Sequence, residues 1–153
     1  MAQPSIARIV VGIDGSDHAA TALEWAVRMA RGMGSEVVAV YAIDLPTWFA
    51  SAAGGVPPQP DPEWRAEMKT EFEGQWCKPL KDAGVRYRTV MEDGRAASVI
   101  TRVADEVNAD VIVVGRRGRG GVAELVLGSV SHELVLQSKR PVLLISQAPA
   151  PAA

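Results

Sequence analysis

Five short apolar runs, each closed by turn residues and separated by stretches of helical periodicity, limit this chain to very few architectures. The runs are Ile6 to Ile13, Glu36 to Ile43, Val85 to Met91, Val111 to Val114 and Pro141 to Ile145. After the first, Ala19, Leu23, Ala26, Ala30 and Met33 recur at steps of four and three, which predicts one helix from His18 to about Met33. Ser16 or Asp17 can cap its start, and Gly32 or Gly34 can close its end. Asp61-Pro62-Glu63 reads as a cap, a first-turn proline and an acid at the positive helix end. Trp64, Met68, Phe72 and Trp76 follow at four-residue spacing as a core stripe, with Pro79 expected to kink or shorten that helix and Gly84 to end it. A third helix carries Ala96, Val99, Ile100, Val103 and Val107. Strands that are apolar on both faces, alternating with helices, imply an open five-stranded parallel sheet with helices on both faces, Rossmann-like in architecture. The third run alternates apolar and polar residues and belongs near an edge.

The chain has 153 residues, enough for one domain, expected over 1–146 with a disordered C-terminal tail at 147–153. A net charge of −2 argues against general nucleic-acid binding. No apolar run approaches the roughly 20 residues that span a bilayer, and the first residues lack the apolar segment of a secretory signal. A cytoplasmic protein without membrane contact is expected. The single cysteine, Cys77, excludes an internal disulfide and reads as a small buried hydrophobe. His18 and His132 have no partners at metal-ligand spacing, so ordinary packing or surface roles are expected. Residues 44–62 form the one long irregular stretch, with Trp48 and Phe49 in it; their role stays open.

In sheets of this kind ligands bind beyond the carboxyl ends of the strands, where strand order reverses. Asp14 follows the first run, and Gly115-Arg116-Arg117-Gly118-Arg119-Gly120-Gly121 follows the fourth. Glycines let main-chain N–H groups approach an anion, and Arg117 or Arg119 can add charge. Gly128 inside a helix would cost about 1 kcal/mol against alanine. It therefore marks a helix start, with the last helix running from about Ser129 to Ser138 and free N–H groups at Ser129, Val130 and Ser131. Two sets of donors would then hold one polyphosphate. No Gly-Lys pair exists for a P-loop. The G-x-G-x-x-A match at Gly118 lies in the wrong strand–helix turn for a dinucleotide, and the next strand ends without an acid.

Gly115, Gly118, Gly128 and Ser129 fill the four fixed positions of G-x2-G-x9-G-[ST]. With Val-Gly-Ile-Asp-Gly-Ser near the start and Arg-Pro-Val-Leu-Leu-Ile near the end, the chain resembles the nucleotide-binding branch of the universal stress protein family over about residues 6–146. The resemblance implies an ATP-binding homodimer of the adenine-nucleotide α-hydrolase-like fold that acts in the stress response, with Mg²⁺ accompanying the nucleotide. It places Asp14 on the nucleoside or a metal-bound phosphate, with Gly12 allowing close approach. Ala42 would lie against adenine, and the Val114 backbone would read the base. Gly115 and Gly118 would face ribose and phosphates, and Ser129 and Val130 would hold phosphate. Family dimers pair through the last strand, which would put Val142 and Leu144 at an interface. Glycine at 12, where other members often have proline, leaves the geometry of the first loop open.

Each of these residues also has a plainer reading: Asp14 as a turn-former, Ser129 as a cap, the arginines as solvated loop charges. No general base beyond Asp14 is recognisable, so binding, with at most weak ATP hydrolysis, is the expectation. A slow ATPase and a cyclic AMP or AMP-binding protein of the same fold are the alternatives.

Overall fold

The computed structural model describes residues 5–44, 54, 60–117 and 127–147. Its elements are β1 (Arg8–Gly12), α1 (Asp17–Met33), β2 (Glu36–Ile43), α2 (Pro62–Glu71), a π-helical turn (Phe72–Trp76), α3 (Lys78–Ala83), β3 (Tyr87–Asp93), α4 (Ala96–Glu106), β4 (Val111–Gly115), α5 (Ser129–Gln137) and β5 (Val142–Ile145). The five strands form one sheet in the order β3-β2-β1-β4-β5, every pair parallel. The α/β fold expected from the alternation is therefore present. Because the chain lays down β2 and β3 on one side of β1 and then crosses to β4 on the other, strand order reverses between β1 and β4. Ile9 pairs with Val111 and Val11 with Val113 across that line.

Strand alternation divides the interior into two cores. Ile9, Val11, Val37, Ala39 and Val113 face α1, Phe72, Cys77 and Leu80. Val10, Val38, Val40, Ile112 and Val114 face α4 and Leu134 of α5. Side chains of consecutive strand residues point to opposite faces, so strands covered on both sides must be apolar throughout. Helix α1 meets this sheet with Ala19, Leu23, Ala26 and Ala30, as its periodicity predicts, while Met33 is half exposed. Ser16 caps α1 by accepting the Ala19 N–H, and Gly34 ends it at φ 70°, a left-handed conformation that glycine adopts without strain.

Two expectations need correction. The stripe from Trp64 to Trp76 is not one continuous core face: α2 has no buried residue, and Trp64 is exposed. The helix is interrupted before Pro79, at the π-helical turn, whose wider winding carries the inward face from Phe72 to Cys77 and Leu80, all fully buried. Pro79 instead lies in the first turn of α3, where a missing N–H leaves no bond unmade. The third strand is displaced from 85–91 to Tyr87–Asp93, because Gly84 ends α3 in the left-handed region and Val85 and Arg86 lead from it into the ladder. Trp48, Phe49 and the tail from 148 onward lie outside the described residues. Among the described residues no helix is long and apolar enough to cross a membrane.

Candidate functional site

The carboxyl ends of β1 and β4 lie side by side, and each leads into a turn built by its own sequence. Beyond β1, the Ile13 N–H donates to Val40 of β2 at 2.8 Å. The Asp14 carboxylate then accepts the Ser16 N–H at 2.9 Å, a local turn closed by a side chain. Gly15 follows at φ 81° and Ser16 starts α1. Asp14, half-buried, thus shapes the turn that carries it to the end of the strand.

Beyond β4, Gly115 sits under the first turn of α1. A Cβ there would stand 2.8 Å from the backbone C and O of His18, so the close passage of two main chains excludes every side chain. The Arg116 N–H donates to Ile145 of β5, and the Arg116 carbonyl accepts the Gly128 N–H, both at 2.8 Å. Chain leaving β4 therefore returns to the same point before α5 begins. Gly128 is the residue before α5 and provides no side-chain cap. The first bond of that helix runs from His132 N–H to the Gly128 carbonyl. The amides of Ser129, Val130 and Ser131 precede it and have no intrahelical acceptor, which makes this end of the helix electropositive. Arg116 and Arg117 are half-buried, and their Nε atoms are buried without a hydrogen-bond partner, as is Nδ1 of His18.

The sequence-predicted residues fall as follows. Gly12, Asp14, Val114, Gly115, Arg117, Gly128, Ser129 and Val130 gather at the β1–β4 rim. Ala42 stands near the carboxyl end of the neighbouring strand β2, half-buried. Gly118, Arg119, Gly120 and Gly121 lie outside the described residues. A Cβ on Gly12 would point at Ile100 of α4 (2.8 Å) and Val114 (3.0 Å), so packing within the second core already requires a small residue there. Ser131, expected only as a main-chain donor, also works through its side chain. The Ser131 hydroxyl is buried and donates to the Gly115 carbonyl at 2.8 Å. The signal was a second serine in Gly-Ser-Val-Ser, on the same helix face as Leu134.

The two resolved pKa shifts lie away from this rim. Burial pushes the Cys77 thiol up to about 12, with Glu73 adding to the effect, so it is an inert core residue as expected. At the amino ends of the strands, burial alone would raise Glu36, but hydrogen bonds and charge from Arg88 and Arg8 outweigh it and lower its pKa. Among the described residues no group of three or more His, Cys, Asp or Glu could hold a metal ion.

Comparison with known proteins agrees with this fold. The profile of the universal stress protein family matches residues 5–146. The universal stress protein MJ0531 of Methanocaldococcus jannaschii is 31% identical over 145 residues, covering 92% of this chain and 82% of its own. A universal stress protein crystallised in complex with cAMP superposes with a TM-score of 0.69 at 25% identity, covering 95% of this chain and all of its own. The universal stress protein from Archaeoglobus fulgidus in complex with dAMP does so with a TM-score of 0.66, also at 25% identity, covering 91% and 97%. On its profile match, its relatives and its fold, this chain belongs to the universal stress protein family.

Proposed function

We propose that this protein binds ATP in the crevice at the carboxyl ends of β1 and β4, and that it acts as a nucleotide-dependent regulator in the stress response. The observation that carries this reading is the hydrogen bond from Gly128 to Arg116, which brings the Gly115–Arg117 turn and the open start of α5 to one point. Main-chain amides and a helix N-terminus converging with arginines form a phosphate site without a dedicated side chain. The phosphates would take the amides of Gly118, Gly120 and Gly121 together with those of Ser129 and Val130, and Arg117 and Arg119 would supply charge. Adenine would lie toward Ala42 and the Val114 backbone, and Gly12 and Asp14 would border the ribose side. The cAMP and dAMP complexes of related proteins support an adenine pocket.

Mg²⁺ keeps several waters and is commonly held through substrate phosphates with one or two carboxylates. Here Asp14 would be the protein's contribution, and the triphosphate would supply the rest. Binding rather than turnover follows from the side chains available: hydrolysis needs a positioned base or water, and Asp14 is engaged in its own turn. The reading also includes a cytoplasmic homodimer paired through β5.

Titration calorimetry with ATP·Mg²⁺, ADP, AMP and cyclic AMP tests the proposal. ATP is expected to bind most tightly, with affinity falling at least about tenfold when the terminal phosphates are removed. Gly118→Ala is expected to weaken ATP and leave adenosine unchanged. Equal affinity for ATP and adenosine would remove the phosphate site from the proposal, and no heat with any of them would remove the nucleotide.

A further inference from the structure

We infer that Ser131 is a positioning residue for the anion end of the crevice, its hydroxyl fixing where the open start of α5 stands relative to the Gly115–Arg117 turn. This rests on the nucleotide reading above and adds the element that aims the donors. Ser131 is 2% exposed, and with Ser35 it makes up the buried polar residues among those described. Its hydroxyl bond to the Gly115 carbonyl joins the third residue of α5 to the last residue of β4.

The two ends of that bond differ in freedom. Gly115 is pinned: α1 passes so close above it that even a methyl group would strike the His18 backbone. Its neighbour Arg116 is tied to β5 through its N–H. The start of α5 is tied to Arg116 through the Gly128 N–H but receives no capping side chain from Gly128. Further along the helix, Glu133 pairs with Arg95 at the start of α4, an exposed and therefore weak contact. Leu134 fills the second core, which sets depth but not direction. Consecutive carbonyls of the strand end are thus both used on α5, Gly115 by the Ser131 hydroxyl and Arg116 by the Gly128 N–H. Donors that stabilise an anion act only when held within about 0.5 Å of the productive position. Ser131 supplies the direction that the glycine cap does not.

A residue that only satisfied a buried carbonyl would affect stability and leave the ligand's phosphate increment alone. Calorimetry on wild type, Ser131→Ala and Ser131→Cys, each titrated with ATP·Mg²⁺ and separately with adenosine, separates the two. Cysteine keeps the side-chain shape at a slightly larger size and donates only weakly, so it covers the case in which the alanine variant folds poorly. Both variants are expected to lose about tenfold or more in ATP affinity, with adenosine held within about twofold. In the ligand-free protein, the Gly128 and His132 amides are expected to exchange faster with solvent, and those of α4 to stay unchanged. Variants that bind ATP as wild type does, that lose ATP and adenosine in equal proportion, or whose Gly128 exchange is unaltered would overturn the positioning role while leaving the nucleotide reading intact. A wild-type protein giving no heat with either compound would overturn both.

Discussion

The Arg116 carbonyl and the Gly128 N–H meet at 2.8 Å, which ties the end of β4 to the start of α5. Under the nucleotide reading proposed above, a tie of this kind lowers the ordering entropy that ligand binding would cost. At Gly115 and Gly12, sensitivity to substitution follows from steric fit rather than side-chain chemistry.

Gly115→Ala is expected to destabilise the ligand-free protein by about 1–3 kcal/mol, because the added methyl meets the fixed backbone of His18. Gly12→Ala is expected to be milder, since its nearest obstacle is the mobile end of the Ile100 side chain. Urea unfolding of the two variants gives the comparison. If Gly12→Ala were the costlier, the packing over Gly115 would not be as tight as described.

Removing the Arg65–Asp93 ion pair should loosen α2 with little effect on the whole. Arg65 Nη2 contacts both Asp93 oxygens at 2.8 and 2.9 Å, and α2 buries no residue of its own. Asp93→Asn is therefore expected to change global stability by no more than about 1 kcal/mol, as exposed pairs do. Amide exchange along α2 should rise at the same time, more at low salt than at high. Unchanged exchange would show that α2 is held by something else.

Stability should fall at both ends of the pH scale for separate reasons. Cys77 has its ordinary value near 9.0 when unfolded and about 12 when folded. Its contribution is complete below pH 9 and is lost as pH rises through that interval, because only the unfolded state releases the proton. Glu36 has a lowered folded value against 4.5, so its contribution is present above 4.5 and lost as pH falls. Cys77→Ala should flatten the alkaline limb and Glu36→Gln the acid limb of an unfolding-midpoint profile. The native thiol should also resist disulfide reagents at pH 8 until the protein unfolds.

The β5 edge should govern self-association. An edge strand presents unpaired backbone groups, and here Leu143, in register with Val113 on the α1 side of the sheet, is 36% exposed. If the dimer proposed above forms along this edge, Leu143→Glu is expected to shift sedimentation from dimer to monomer without loss of helical signal. A monomeric wild type, or a dimeric variant, would move the interface elsewhere.

The central strands were legible because burial on both faces leaves an uninterrupted apolar run, as in Val111-Ile112-Val113-Val114, whereas the edge strand β3, only partly buried, was placed two residues early. The first helix was legible because its period and its left-handed Gly34 agree. The helix after residue 61 was misread for a physical reason: four-residue spacing cannot reveal an extra residue wound into a π turn, and Phe72 alone of the stripe is fully buried. At the rim, the adjacency of β1 and β4, which lead into Asp14 and into the Gly115 turn, followed from alternation and the rule for strand-order reversal. What sequence could not separate was glycine needed for a ligand from glycine needed for packing. Gly115 and Gly12 both meet protein atoms, a fact of tertiary contact that no spacing encodes. The Ser131 hydroxyl was hidden likewise, since a serine in a first helical turn usually faces water.

The charged groups at the other end of the strands have a further consequence. Arg8 and Arg88 flank Glu36 at 3.3 and 2.9 Å, and the Asp110 carboxylate accepts the Ala7 and Arg8 amides at 2.8 and 2.9 Å. These stitches lie at the amino ends, a full strand length from the β1–β4 rim. Substitutions at the rim can accordingly be made, residue by residue, without touching the seam that keeps neighbouring strands in register.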